Sequence, residues 1–314
     1  MLRRLCVVGL GLMGGAVGLA ARRANAALRV TGVTAKRETV EKARQMGAVD
    51  EATLDLRAGV QDADLVVLAV PVHLIPAMAQ SALSAAQPEA IITDLGSTKA
   101  GVVAAVDELI SKQKAQVRFV GSHPLAGSER SGIDAAPLVR LAGALCILTP
   151  TSSTNGEAYR QVDEFWKSLG MRTMRLPPGE HDAVLARSSH FPHLLAFALL
   201  QAQTDRSLSL SGPGLRDMTR LAGSDVSNWV GIFTQNAGEL AKVTKEFSQE
   251  MRQLSVELEA LAAAGTPGVE AARERLFRYL ADARQRREEH FRKAPGAATE
   301  ARADGAEPPT PEAL

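Results

Sequence analysis

Leu5-Cys6-Val7-Val8-Gly9-Leu10-Gly11-Leu12-Met13-Gly14 decides how this chain folds. An apolar, valine-rich run ends in glycines at 9, 11 and 14, and a helix-forming stretch, Gly15-Ala16-Val17-Gly18-Leu19-Ala20-Ala21, follows. In a strand–turn–helix unit the first glycine permits the tight turn, the second lets a ligand approach the backbone, and the third lets helix and strand pack closely. The N–H groups at the start of the helix then face an anion, which suits a pyrophosphate. Gly9, Gly11 and Gly14, with Leu12 and Met13 between them, are therefore candidate contacts for a dinucleotide. The same run, flanked by Arg3-Arg4 and Arg22-Arg23, superficially resembles a leader peptide or a membrane span. Its glycine spacing argues for the turn instead, and no other apolar run reads as long enough to cross a bilayer.

Outward from this turn, short β-branched runs alternate with alanine-rich helical stretches. Leu5–Gly9, Arg29–Thr34, Leu65–Pro71, Ala90–Asp94, Val117–Gly121, Ala144–Thr149 and Met171–Leu176 read as strands. Unbroken apolar runs such as Leu65-Val66-Val67-Leu68-Ala69-Val70 suit parallel strands covered on both faces. The expected fold is α/β, an N-terminal Rossmann-type doubly wound sheet over residues 1–178. After Pro177-Pro178-Gly179 helix formers dominate, so residues 179–293 are expected to form an all-helical substrate and dimerisation domain. Leu240, Val243, Phe247, Met251, Leu254, Leu258 and Leu261 recur at intervals of three and four, which fits either a buried helix face or a homodimer seam. Residues 294–314 carry four acids against one arginine and no aliphatic side chain before the final leucine, and read as a disordered tail.

Composition narrows the function. The 314 residues are 46% hydrophobic, 23% charged and 4% aromatic, with a net charge of +1. That is too apolar for a disordered chain and lacks the basic excess of a nucleic-acid binder. Cys6 and Cys146 both sit in apolar runs and read as reduced core residues, consistent with a cytoplasmic protein.

The end of the second strand bears on which dinucleotide is bound. A carboxylate about 20 residues beyond the glycine turn would hold the ribose 2′-hydroxyl of NAD. Here Thr34-Ala35-Lys36-Arg37 follows Val33, with no acid and two cations. Thr34 does not repel a 2′-phosphate and Lys36 or Arg37 can pair with one, so NADP is favoured over NAD. The plainer alternative is that both cations are solvated loop charges, with Glu38 their nearest partner. Val70 and Pro71, ending the Leu65–Pro71 run, complete the expected cofactor contacts.

Two motifs are expected to leave strand ends as loops, where open α/β sheets hold their ligands. Asp94-Leu95-Gly96-Ser97-Thr98-Lys99 is one, and Gly121-Ser122-His123-Pro124-Leu125-Ala126-Gly127-Ser128-Glu129 the other. The near-neutral pKa of a histidine suits proton exchange with an alcohol undergoing oxidation, which marks His123. Ser97 fits either that centre or a helix cap. Ser188-Ser189-His190-Phe191-Pro192-His193 opens a helix further on, and Arg216-Asp217-Met218-Thr219-Arg220-Leu221-Ala222-Gly223-Ser224-Asp225 precedes Trp229. His190 and His193 have metal-compatible spacing, but no cysteine or carboxylate accompanies them and no metal is expected.

With these four motifs in this order over about residues 3–290, the sequence resembles the prephenate/arogenate dehydrogenase family of tyrosine biosynthesis. Related 3-hydroxyacid dehydrogenases share the glycine turn but not the His123 segment. The resemblance implies oxidative decarboxylation of a cyclohexadienyl substrate with hydride transfer to NAD(P), giving 4-hydroxyphenylpyruvate or tyrosine. It implies that His123 assists deprotonation of the ring hydroxyl and that Ser97 links histidine, hydroxyl and nicotinamide. Arg220 would hold a substrate carboxylate, with His193, Arg216 and Trp229 in the pocket. Arg216 stands where some members have lysine, and Trp229 fits packing as well as substrate contact. Ser128 and Glu129 are further substrate candidates, Glu129 serving either as an ion-pair partner near Arg130 or as a gate. The alternatives are a 3-hydroxyacid-type NAD(P)-dependent dehydrogenase and a non-catalytic nucleotide sensor.

Overall fold

The structure, a computed structural model, describes residues 2–128, 130–263 and 268–292. Glu129 and the tail expected over 294–314 lie outside the described residues. Strands β1 (Arg4–Val8), β2 (Arg29–Val33), β3 (Glu51–Thr53), β4 (Leu65–Leu68), β5 (Ile91–Asp94), β6 (Arg118–Leu125), β7 (Leu145–Thr149) and β8 (Arg172–Arg175) form one sheet, ordered β3-β2-β1-β4-β5-β6-β7-β8. Helices α1 (Leu12–Ala24), α2 (Arg37–Gln45), α3 (Leu56–Val60), α4 (Ile75–Leu83), α5 (Ala100–Gln113) and α6 (Gly156–Ser168) connect them. The strand order reverses between β1 and β4, which opens a crevice at their C-terminal ends, the place where such sheets bind ligands.

Burial on both faces explains the unbroken apolar runs. Leu5 and Val7 of β1 and Leu65 and Val67 of β4 enter one core layer, while Cys6, Val8, Val66 and Leu68 enter the layer on the other side. Cys6 and Cys146 are free and buried, and burial pushes the Cys6 thiol up to about 12.

Two features depart from the sequence-based expectation. The three-residue β3 was not foreseen, being too short to show periodicity. More consequentially, β6 does not end at Gly121 but continues to Leu125. Its second half pairs antiparallel with β7, Gly121 opposite Thr149, His123 opposite Ile147 and Leu125 opposite Leu145. His123 is therefore a strand residue, only 8% exposed, and not part of a loop leaving the strand.

Beyond the sheet come α7 (Pro178–Leu185), a π-helical turn over Ala186–His190, α8 (Phe191–Gln201), α9 (Asp205–Ser209), α10 (Pro213–Thr219), α11 (Val226–Gln235), α12 (Ala237–Ala262) and α13 (Val269–Arg292). The helical run Pro178–Gln201 is, by length and composition, long and apolar enough to cross a membrane, contrary to the expectation that no second such run exists. The sequence changes character near 178, yet packing joins Met1–Thr244 into one compact unit. Ile232 of α11 is buried with Val72, Ile75 and Val103, and Trp229 packs against the same layer. Lys245–Leu314 forms the second unit, in which Arg275 makes a two-pronged pair with Glu257, at 2.8 Å from both its Nε and Nη2. Met251, Leu258, Phe277 and Leu280 of this unit are exposed.

The ends of β5 and β6 are locked by a buried ion pair. Asp94 and Lys99 are both fully buried; Lys99 Nζ pairs with Asp94 Oδ2 and donates to Ser122 O at 3.0 Å. The same carboxylate accepts from Gly96 N at 2.8 Å and Ser122 N at 3.2 Å. Removing one member of such a pair leaves an uncompensated buried charge. Lys99→Met is expected to lower unfolding free energy by about 3–5 kcal/mol in denaturant titration, and adding Asp94→Leu is expected to recover part of that loss.

Candidate active site

The glycine turn divides its work among its three members. Gly9 has a φ of +100°, and a Cβ there would lie 2.4 Å from Ala69 O and 3.0 Å from Val70 Cγ1. A Cβ on Gly14 would lie 1.9 Å from Gly9 O. Both positions are thus closed to any side chain by the protein's own backbone. Gly11 differs: a Cβ there meets nothing within 4 Å. It caps α1 without a side-chain hydrogen bond, leaving the first-turn N–H groups facing open space. A pyrophosphate fits that cradle, so the residues present suit a dinucleotide. Leu12 and Met13 line its start half-buried, and Val70 is held against Gly9 with Pro71 exposed beyond it.

At the end of β2, Thr34 Oγ1 accepts from Lys36 N at 3.3 Å, and Lys36 caps α2. Lys36 and Arg37 are exposed, and neither forms an ion pair among the described residues. Two cations therefore stand at the end of β2, with Glu38 next to them in the first turn of α2.

Four of the chain's six histidines gather at the other end of the crevice. His123 Nδ1 lies 2.9 Å from His181 Nε2, and His181 Nδ1 lies 2.8 Å from Asp182 Oδ1. The Asp182 carboxylate also accepts from Lys99 N at 2.7 Å and Ala100 N at 2.9 Å, which makes it the N-terminal cap of α5. Ser97 stands half-buried just ahead of that helix and does not cap it. Asn236 Nδ2 donates to Asp182 O at 2.8 Å and to His190 Nδ1 at 3.0 Å. The carbonyl partner fixes which end of the Asn236 amide points inward, so His190 accepts on Nδ1 and carries its hydrogen on Nε2. That Nε2 is buried without a hydrogen bond, the Ser97 backbone lying beside it outside bonding geometry. His193 donates from Nδ1 to Ser189 O at 2.9 Å, and its ring stacks on Trp229 with centroids 3.5 Å apart.

Burial keeps these rings neutral. His123 is held well below the ordinary 6.5, first by desolvation, then by His181, the Lys99 ammonium and His190. Burial takes His190 down to about 4. His181 is lowered by burial against the opposing pull of Asp182. His193 is lowered by burial, with Ser189 O opposing and the nearby Arg220 cation adding to the effect. Burial opposes the charge of Asp182, but the bonds from His181, Ala100 and Lys99 prevail and hold its carboxyl below the usual range.

The structure thus brings His123, His190, His193 and Trp229 together and sets Arg220 near His193. Arg216 and Ser128 are exposed, Ser128 Oγ accepting only from Arg130 N, at 3.2 Å, among the described residues. Met13 Sδ stands 3.8 Å from where a Cβ on Gly127 would be, so the segment after β6 approaches the glycine turn. His181, Asp182, Asn236 and the Asp94–Lys99 pair were not singled out as site residues from the sequence. The only hint of the first two is a His-Asp pair directly after Pro177-Pro178-Gly179-Glu180.

Comparison with known proteins bears on what this centre does. Residues 17–175 match the family model "Prephenate dehydrogenase, nucleotide-binding domain", and residues 177–282 match "Prephenate dehydrogenase, dimerization domain". The chain is 32% identical over 292 residues to the prephenate dehydrogenase of Bacillus subtilis, covering 90% of this chain and 75% of that one. The prephenate dehydrogenase of A. aeolicus, solved with hydroxyphenyl propionate and NAD+, superposes with a TM-score of 0.80 at 29% identity, over 92% of this chain and 98% of that one. The arogenate dehydrogenase of Synechocystis gives 0.73 at 28%, over 91% and 99%.

Substitutions in the turn separate its two roles. Gly11→Ala is expected to leave thermal stability unchanged but weaken nicotinamide dinucleotide binding by tenfold or more, on the order of the 1.4 kcal/mol that corresponds to a factor of ten. Gly14→Ala is expected to cost about 1–3 kcal/mol of stability, because the backbone carbonyl it meets must move. Calorimetric binding and thermal melts distinguish the two.

Proposed function

Because this chain belongs to the prephenate dehydrogenase family of NAD(P)-dependent oxidoreductases, we propose that its histidine centre carries out oxidative decarboxylation of prephenate or arogenate for tyrosine biosynthesis. The observation that carries the assignment is a buried, neutral His123 on β6, hydrogen-bonded through His181 to Asp182. A neutral imidazole can accept a hydroxyl proton; an imidazolium cannot.

The nicotinamide, when bound, accepts the hydride from the ring carbon that bears the hydroxyl. His123 takes the hydroxyl proton as that hydride departs. Loss of the ring carboxylate as CO₂ then drives its electron pair into the ring, and the phenolate so formed recovers the proton from His123. The proton is borrowed and returned, so the centre needs no solvent exchange, which fits its burial. Aromatisation supplies the driving force, leaving the protein mainly to position the reactants. Arg220, just past the end of α10, and Arg216, within it, supply guanidinium groups for the substrate carboxylates. Ser97 and the His193–Trp229 stack border the ring. NADP is the preferred cofactor, Lys36 and Arg37 receiving its 2′-phosphate, and the helical region pairs two chains as a homodimer acting in the cytoplasm.

Turnover measured with prephenate and arogenate, each with NAD and NADP, tests the assignment; no reaction in any of the four combinations overturns it. His123→Asn is expected to reduce kcat by about 10²–10⁴-fold with little change in cofactor binding. Lys36→Ala/Arg37→Ala is expected to raise KM for NADP by about tenfold or more and leave that for NAD unchanged. Since the neutral form of His123 is active and its pKa is lowered, activity is lost with falling pH only below 6.5, and a pH–rate profile flat above that value checks the sign.

A further inference from the structure

We propose that His181 and Asp182 are positioning residues that set the tautomer of His123 through two hydrogen bonds in series. The inference rests on the proposed reaction, in which His123 must offer a bare nitrogen to the substrate hydroxyl. Asp182 is anchored by two backbone N–H groups and, as a carboxylate, can only accept. His181 must therefore carry its hydrogen on Nδ1 and present a bare Nε2. That bare nitrogen, 2.9 Å from His123 Nδ1, requires His123 to carry its own hydrogen on Nδ1. His123 Nε2 is then left as the acceptor. Each alternative tautomer would set lone pair against lone pair, or lone pair against carboxylate, in a place water does not reach.

Burial makes this sequence binding. His181 is fully buried, and Asp182 and His123 nearly so, so no water can stand in for a missing donor. The two rings meet edge to face, centroids 5.1 Å apart and planes at 60°, which fixes the orientation as well as the protonation of His123. The other charged or titratable groups around His123 are Lys99 and Asp94 from the β5–α5 segment, His190 from the π turn and Cys146 from β7. Lys99 and Asp94 are spent on one another, and His190 Nδ1 is engaged by Asn236. Among the described residues His181 alone forms a hydrogen bond with the His123 ring. The positioning role thus falls on His181, and through it on Asp182.

When His123 takes the hydroxyl proton, its Nδ1–H remains bonded to His181 Nε2, and the hydrogen on His181 Nδ1 remains bonded to Asp182. No proton passes along the chain; the carboxylate stabilises the cation at two removes. The same arrangement explains why Asp182 caps α5: the two N–H bonds stop the carboxylate from turning away.

The test uses the full-length enzyme labelled with ¹⁵N-histidine, the His123 signals being assigned by their loss in His123→Asn. Wild type is expected to show His123 protonated on Nδ1. His181→Leu removes the acceptor and is expected to yield an Nε2–H population, with kcat lowered about 10–100-fold at unchanged KM for substrate and cofactor. His181→Gln places an amide oxygen near the position of Nε2 and is expected to restore the Nδ1–H form and recover most of kcat. An Nε2–H tautomer in the wild type overturns the inference, and so does His181→Leu with Nδ1–H and kcat intact. Should His181→Leu fail to fold, the wild-type spectrum and the His181→Gln rate still decide. The tautomer is read without turnover, so inactivity on both substrates would overturn the proposed reaction alone.

Discussion

One carboxylate holds the site together. Asp182 receives two backbone N–H groups from the start of α5 and the Nδ1–H of His181, while its own backbone carbonyl receives the Asn236 amide. Its partners come from the segment after β5, from α7 and from the α11–α12 junction, three parts of the chain far apart in sequence. A helix N-terminus carries a partial positive charge and favours an anion, so the capping position also keeps Asp182 ionised. The histidines can be correctly oriented because this anion is fixed, while burial, against the pull of the anion, keeps them neutral.

Polarity in the crevice is arranged in layers. The Asp94–Lys99 pair lies deepest and joins the ends of β5 and β6, so that His123 projects from a braced strand. Above it the chain of His123, His181 and Asp182 is buried. Outermost are the exposed guanidinium groups of Arg216 and Arg220 and, at the far end of the sheet, Lys36 and Arg37. Cations thus stand exposed at the rim, and buried uncharged rings lie inside. A net charge of +1 over the whole chain conceals this separation.

Much of the fold was legible because it rests on local patterns. The glycine turn, the two-faced apolar strands and the change to helix after Pro177-Pro178-Gly179 each show within a window of about ten residues. Their motifs single out His123, which the structure sets in the histidine cluster, and Arg220, which it sets near His193. What escaped depends on distant partners. The continuation of β6 through His123 requires β7 beside it, and Pro124 in the middle of that segment reads locally as the end of a strand. His181 is 58 residues from His123 and Asp182 is 82 residues from Ala100, so neither displays its role in its own neighbourhood. Lys99 looks like a loop charge, and only the fold shows that it is fully buried.

The π-helical turn at Ala186–His190 has a consequence for how the site tolerates change in length. Such a turn amounts to one extra residue in an otherwise continuous helix, and each residue rotates the downstream helix by about 100°. Upstream of it lie His181 and Asp182; downstream lies His193, stacked on Trp229. The turn therefore sets the phase between the His181–Asp182 pair and the His193–Trp229 stack. A one-residue deletion there would swing one half of this helical run away from the other. Within this segment the number of residues, and not only their identity, fixes which side chains face one another.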